Sequence, residues 1–282
     1  MTSQTGYVII YIHNNITLWS TMKNLVLFDM DGTLTPPRSH LDYNLVDTLR
    51  ELVKFAEIGI VTGSDLDYLM QQCGFLTKSD DIKLKLHLLP CNGTKHCAPP
   101  EYKHRGYLMN SKQDMRREIG EVNFNKIMKK LIDYQNHVVS HYDISLSGHF
   151  ISYRESMVNW CPIGRNASIN DRMSFKSLDK SLRPSFRGLL LEQIREEFEA
   201  ARIPVTIKLG GDTSFDIYPN GWDKTYALKH FPDHQIYFLG DRCGENGNDK
   251  EIYDALQPNS WWVESPEHTK KILEETLIPR LK

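Results

Sequence analysis

An α/β protein with a doubly wound parallel sheet and an inserted α+β unit is what the patterning of this chain predicts. Three observations carry that reading. Apolar runs of strand length alternate with amphipathic helical stretches at both ends of the 282 residues. Alternation of that kind implies a parallel sheet covered on both faces. The middle instead places apolar runs close together, as antiparallel strands require. Finally, two carboxylates follow the first strong strand at once, where an open parallel sheet binds its ligands.

In order along the chain, Asn24–Asp29 reads as a buried strand and Tyr43–Glu57 as a helix with Leu45, Leu49, Leu52 and Val53 on one face. Ile58–Gly63 is a second strand, Asp65–Cys73 a helix and Leu86–Pro90 a third strand. The pattern resumes late, with helix Asp223–Phe231, strand Gln235–Asp241, helix Asn248–Leu256, strand Ser260–Glu264 and helix Pro266–Leu277. Between them come a long helix through Phe124–His137, the runs "FISYR" and "MVNWCPIG", a helix spanning Phe186–Phe198, and the strands "VTIKLGG" and "SFDIYP". The expected division is therefore a core of residues 22–96 and 220–282 and an α+β cap of residues 97–219. Residues 1–21 read as an N-terminal appendage outside the fold, the alternative being an edge strand. Their apolar run Tyr7–Ile12 is far too short to span a bilayer.

Composition narrows the function classes. A formal net charge of −2 gives no basic field, so neither nucleic acid nor an anionic membrane is an expected partner. Any anionic ligand must be met by local arginines. Five dispersed cysteines without a CxxC pair suit a reducing cytoplasm better than a disulfide framework.

The acids explain themselves chemically. Asp29 and Asp31, carried on a tight turn, can face one crevice, and their mutual repulsion invites a divalent cation. Magnesium prefers oxygen ligands and an incomplete protein cage. One aspartate could then attack phosphorus while the other moves a proton. A bare D-x-D is weak, but D-x-D-G-T after an apolar run is specific, and three more segments accompany it. "VTGSD" offers Ser64 after a strand, "GWDKTYAL" offers Lys224, and "FLGDRCGENGNDKEI" puts Asp241 at a strand end with Asp249 further on.

In this order the four segments resemble the motifs of the haloacid-dehalogenase superfamily of phosphotransferases. The stretch Leu25 to the C-terminus further resembles the eukaryotic-type phosphomannomutases, through "DMDGTLTPPR", "VNWCPIGR", "DRMSF", "GGDTSFDIYPNGWDK" and "GNDKEI". The resemblance implies Asp29 as nucleophile, Asp31 as general acid/base, Ser64 and Lys224 on the transferring phosphoryl group, and Mg2+ held by Asp29, Asp31, Asp241 and Asp249. It implies Arg38, Arg154, Met157, Asn159, Arg165, Arg172, Ser214 and Asp216 on the substrate. It implies interconversion of mannose 6-phosphate and mannose 1-phosphate for GDP-mannose supply, through a phosphoaspartate and a hexose 1,6-bisphosphate that also serves as activator. A homodimer through the cap is implied too. The chain departs from the family pattern at Thr62, Cys91, Glu155, Ser156, Trp160 and Cys161, and in the middle of the fourth motif. The alternatives are a magnesium-dependent sugar phosphatase with the same core, and a phosphosugar-binding protein without turnover.

Overall fold

The computed structural model describes residues 7–10, 18–36, 39 and 41–282, with 7–10 and 18–21 described by their backbone. Its elements, in chain order, are β1 (Tyr7–Ile10), β2 (Leu18–Thr21), β3 (Lys23–Phe28), α1 (Tyr43–Leu52), β4 (Glu57–Val61), α2 (Leu66–Cys73), α3 (Asp80–Lys83), β5 (Leu86–Leu89), β6 (Lys95–Ala98) and β7 (Leu108–Lys112). Then follow α4 (Met115–Ile119), α5 (Glu121–His141), β8 (Ile151–Tyr153), β9 (Val158–Trp160), α6 (Ile169–Ser181), α7 (Phe186–Ala200), β10 (Val205–Gly210) and β11 (Ser214–Pro219). The chain ends with β12 (His234–Gly240), α8 (Lys250–Ala255), β13 (Ser260–Trp262), α9 (Pro266–Ile272) and α10 (Ile278–Leu281).

Strand β3 is the middle one of the five parallel strands in a seven-stranded sheet of order β13-β12-β3-β4-β5-β6-β7. Leu25, Val26, Leu27 and Phe28 are all essentially unexposed. Val26 and Phe28 face one apolar cluster while Leu25 and Leu27 face another, as a strand covered on both sides demands. The strands from β13 to β5 run parallel, and β6 and β7 add antiparallel. From β3 the chain winds one way to β4 and β5 and later returns on the other side as β12 and β13. That reversal makes the carboxyl ends of β3 and β12 the switch point.

The sheet reaches further than expected. Residue 97 falls inside β6, and β7 carries the core sheet to Lys112, so the cap begins after the predicted junction. The exposed β7 residues Leu108–Asn110 have no apolar periodicity to announce a strand. Helix α1 also stops at Leu52, because Glu57 already belongs to β4. β1 and β2 pair with each other as a separate two-stranded sheet.

The cap is a four-stranded antiparallel sheet of order β10-β11-β9-β8 with its own apolar core of Trp160, Phe215, Ile217 and residues from α5 and α7. Trp160 stacks on Phe215 and donates its Nε1–H to Gln135. Helix α6 was not foreseen; it starts at a capping box between Ser168 and Asp171. The fold buries all five cysteines as free thiols, and no described helix is long and apolar enough to cross a membrane.

Beneath the parallel sheet's edge, His87, His96 and His230 gather around Phe231. His87 Nε2 lies 3.2 Å from Glu57 and its Nδ1 3.0 Å from His96 Nε2. With the imidazoles neutral, a His87 Nε2–H donated to Glu57 leaves Nδ1 to accept from His96. Burial, then the neighbouring His230 and His87, push His96 down to about 3. A folded-state value below the unfolded one means stability is lost as pH falls from about 6.5 toward 3. Between pH 6.5 and 5 this cost, discounted for partial solvent screening of the ring, is about 1 kcal/mol. Thermal melting should therefore fall less over that interval in His96→Leu than in the native chain; equal falls would exclude the histidine as the origin.

Candidate active site

Asp29 is the first residue beyond β3, and its N–H donates to Leu239 of β12 at 2.9 Å. The chain then turns tightly, with the N–H groups of Thr33, Leu34 and Thr35 converging on the carbonyl of Met30. Gly32 sits in this turn at φ +92°, and a Cβ there would lie 2.4 Å from Asp241 Oδ2. The glycine of D-x-D-G-T thus lets the first motif lie flat against the fourth. Asp241 follows β12 directly, and Asp249 immediately precedes α8 with no solvent exposure. Gly240 keeps that approach open, since a Cβ would stand 2.8 Å from the Asp249 carboxylate.

Lys224 opens a short 3-10 helix, Lys224–His230, and is wholly buried. Its Nζ donates to Oδ1 of both Asp29 and Asp249. Carboxylate oxygens of Asp29, Asp241 and Asp249 all lie within 4.8 Å of one another. Three carboxylates against one ammonium, with the Arg242 guanidinium 3.7 Å from Asp241 Oδ2, leave net negative charge in a poorly solvated place. Burial pushes Asp29 well up, Lys224 pulls it down, and Asp249 and Asp241 add to the rise. Burial likewise raises Asp241 to about 6, helped by Asp249. Burial alone would lower Lys224, but Asp249 and Asp29 together outweigh it and hold the ammonium charged. Asp249 spends its second oxygen on the N–H of Arg242, at 2.9 Å. Asp241 Oδ1, by contrast, is buried with no hydrogen-bond partner. An orphaned carboxylate oxygen beside excess negative charge fits a hard divalent cation.

The Asp31 side chain is not part of this close triad. Its Oδ1 faces α2, where Gln72 Nε2 donates at 3.3 Å and the Tyr68 hydroxyl lies at 3.5 Å. Gln72 is oriented in turn by Thr35, whose hydroxyl donates to its Oε1 at 2.9 Å. Neither Gln72 nor Tyr68 stood out in the sequence, although a glutamine on the buried face of a helix was a usable signal.

A cavity of about 370 Å³ opens over these groups. Asp29, Asp31 and Ser64 line its core side, and Arg154, Asn159, Arg165, Arg172, Ser214 and Asp216 its cap side. Thr62 precedes Ser64 by two residues, and its hydroxyl accepts the Ser64 N–H at 3.1 Å, fixing the loop. Ser214 and Asp216 alternate on β11, with Asn159 of β9 the cross-strand partner of Asp216. Phe215 and Ile217 point the other way, into the cap core. Asn159 donates to Asp216 at 2.7 Å and accepts from Arg165 at 3.1 Å, so acid and arginine are held as one unit. Arg172 ties down the loop before α6, donating to Ala167, Arg165 and Thr213. Arg154 is buried and crosses to the core, donating to Gly63 at 2.7 Å.

One expected substrate residue is not among the described residues that line this cavity. Met157 is buried in the cap core, where its carbonyl accepts the Arg154 N–H and shapes the turn carrying that arginine. Arg38 lies outside the described residues. The cavity also shows residues that the sequence did not mark: Tyr68, Lys176, Asp212, Arg242 and Asn248.

A doubly wound core with buried acids and a lysine at its switch point, roofed by an inserted cap, is the architecture of haloacid-dehalogenase-type proteins. In agreement, the IMP-bound IMP-nucleotidase of Plasmodium falciparum superposes with a TM-score of 0.65 at 16% identity, over 93% of this chain and 68% of that one. At that identity the likeness is one of fold alone. The sequence is more specific. A model of the eukaryotic phosphomannomutase family matches residues 45–279. A phosphomannomutase of Arabidopsis thaliana is 37% identical over 87% of this chain and 93% of its own length. Phosphomannomutase 1 of Dictyostelium discoideum is 36% identical over 90% and 96%, and a Drosophila melanogaster phosphomannomutase 34% over 90% and 95%. The chain belongs to the eukaryotic phosphomannomutase family.

The buried ammonium gives a direct test. Lys224→Met would leave Asp29 and Asp249 facing each other uncompensated, which should cost about 3–5 kcal/mol of stability in metal-free buffer. Denaturant melting measures it, and a loss under about 1 kcal/mol would show that Lys224 is not the clamp described.

Proposed function

We propose that the chain interconverts mannose 6-phosphate and mannose 1-phosphate through a phosphorylated Asp29 and a hexose 1,6-bisphosphate. The observation that carries this is the opposition of two charged surfaces across one cleft. Buried acids with Lys224 form the floor, and Arg154, Arg165 and Arg172 lie in the roof. A phosphate carries about two negative charges near neutral pH, so the non-reacting end needs a cationic seat. A phosphatase that gives its phosphoryl group to water needs no such second seat.

Asp29, at the end of β3, would attack phosphorus with an oxygen of its carboxylate. Lys224 holds that carboxylate in place and offsets charge on the phosphoryl oxygens. Asp31, turned by Gln72 and Tyr68, would donate a proton to the departing sugar oxygen and take it back when the second hydroxyl attacks. Ser64 would hydrogen-bond the phosphoryl group from the opposite loop. Arg165, braced by Asn159, would seat the distal phosphate, and Ser214 and Asp216 would meet sugar hydroxyls. Asp29 and Asp241 would hold Mg2+, with Asp249 behind them, and the ion would supply the charge that lets two anions meet. A trace of hexose 1,6-bisphosphate would charge Asp29 initially.

Two further points complete the proposal. The long helix α5 exposes Val122, Ile132 and Val139, an apolar set consistent with pairing of two caps in a homodimer. Five unpaired buried thiols are consistent with residence in the cytoplasm.

Phosphorus NMR with Mg2+, mannose 1-phosphate and a trace of hexose 1,6-bisphosphate tests the activity. Mannose 6-phosphate should accumulate with little inorganic phosphate, and excess chelator should stop it. Inorganic phosphate rising without isomerisation would make the protein a sugar phosphatase.

A further inference from the structure

The cap sheet is anchored to the core at both ends of its strands. β9 and β11 are antiparallel, with Trp160 opposite Phe215 and Val158 opposite Ile217. The turn before β9, Arg154–Met157, therefore lies at one end of the sheet, and the turn before β11, Gly211–Thr213, at the other. The first is tied to core strands. Glu155 pairs with Lys95 at 2.6 Å and Lys112 at 2.5 Å, and Thr94 donates to Ser156 at 2.7 Å. These links lie close to where the chain enters and leaves the cap.

The far end is held differently. Arg242, the residue after Asp241, donates through Nη1 to Gly211 at 2.7 Å and through Nη2 to Asp212 at 3.0 Å. Asp212 also accepts from Lys176 of α6 at 3.0 Å. The Nε of Arg242 stands 3.7 Å from Asp241 Oδ2. One guanidinium thus bridges the fourth-motif loop of the core and the cap turn that leads into Ser214 and Asp216. Lys208–Glu251 and Arg195–Asn246 cross the same seam, but of these groups only Arg242 and Asp212 line the cleft.

We propose that Arg242 and Asp212 form a closure latch that keeps water from phosphorylated Asp29 while the bisphosphate turns round. This rests on the mutase reading. The pair suits a latch because it is strong enough to bias the cap and weak enough to release. Arg242 is partly exposed, so its bonds exchange with water and weaken with salt. Its fork engages two acceptors on one turn, which a lysine's single ammonium would not do in the same fixed geometry. Arg242 is accordingly a positioning residue: it acts through the cap turn, and its removal changes the fate of the phosphoryl group more than the ability to form it.

The test is the phosphate released per isomerisation, read in one phosphorus spectrum of the full chain with Mg2+, mannose 1-phosphate and hexose 1,6-bisphosphate. Arg242→Ala should raise that ratio about three- to tenfold, and the milder Asp212→Asn by a smaller factor. The double variant should add little to Arg242→Ala, because both changes remove one contact. Native ratios in both single variants would overturn the latch. A native chain that fails to isomerise would overturn the mutase reading instead, and the latch is then judged without substrate. By small-angle scattering the native chain should be more compact than Arg242→Ala at low salt and approach it near ~0.5 M salt, where the Debye length is only a few ångströms. Equal radii of gyration at low salt would overturn the latch independently of any activity.

Discussion

A single buried ammonium holds the two halves of this active site together. Lys224 bonds Asp29 at the end of β3 and Asp249 at the start of α8, while Arg242, 3.7 Å from Asp241, offsets the third acid from the cleft side. Leaving either carboxylate unpaired would be costly, so the lysine's position constrains everything that brings it there. It arrives five residues after β11, the strand that carries Ser214 and Asp216 in the cap. The return crossing from cap to core is thereby fixed by the same contact that builds the catalytic floor. Trp222 in that crossing accepts from Asn92 at 3.1 Å, which secures it to the Cys91–Gly93 turn. Gly93 permits the approach, since a Cβ there would meet Ala227 at 2.6 Å.

The charge left over has a use. Lys224 balances one of three carboxylates and leaves Asp241 with a buried, unpartnered oxygen. A divalent cation fits that surplus of negative charge and would in turn let a phosphate approach. The cap answers with arginines that are braced and not merely exposed. Arg165 leans on Asn159, Arg172 on its own loop and Arg154 on Gly63. Preorganised donors of this kind lose little entropy when an anion arrives. Several departures from the family pattern become intelligible in the same terms. Thr62 fixes the Ser64 loop, Glu155 and Ser156 fasten the cap to the core, and Trp160 fills the cap interior.

What the sequence revealed follows from which signals are local. The parallel strands were legible because full burial on both faces forces an unbroken apolar run, as in Leu25–Phe28. The motif acids, Ser64 and Lys224 were legible because each is punctuated by a strand end or helix start. β7 was not, because an exposed edge strand carries no apolar pattern, and so the cap was expected to begin too early. Spacing in sequence does not say which way a turn aims a side chain, so the contacts of Asp31 with Gln72 and Tyr68 were not legible. The part Met157 plays in the turn beneath Arg154 is a matter of tertiary packing that its place in the sequence does not announce. Arg242 and Asp212 escaped notice for a different reason: each is an ordinary charged loop residue until the fold sets them 3.0 Å apart.

The central claim is that Asp29 carries the phosphoryl group. The most direct measurement is acid quenching of the full chain after brief incubation with Mg2+ and hexose 1,6-bisphosphate, followed by peptide mass spectrometry. A phosphate-mass adduct is predicted on the peptide containing Asp29, and none in Asp29→Asn, which should also have lost turnover. A phosphorylated group elsewhere, or turnover retained in Asp29→Asn, would contradict the account.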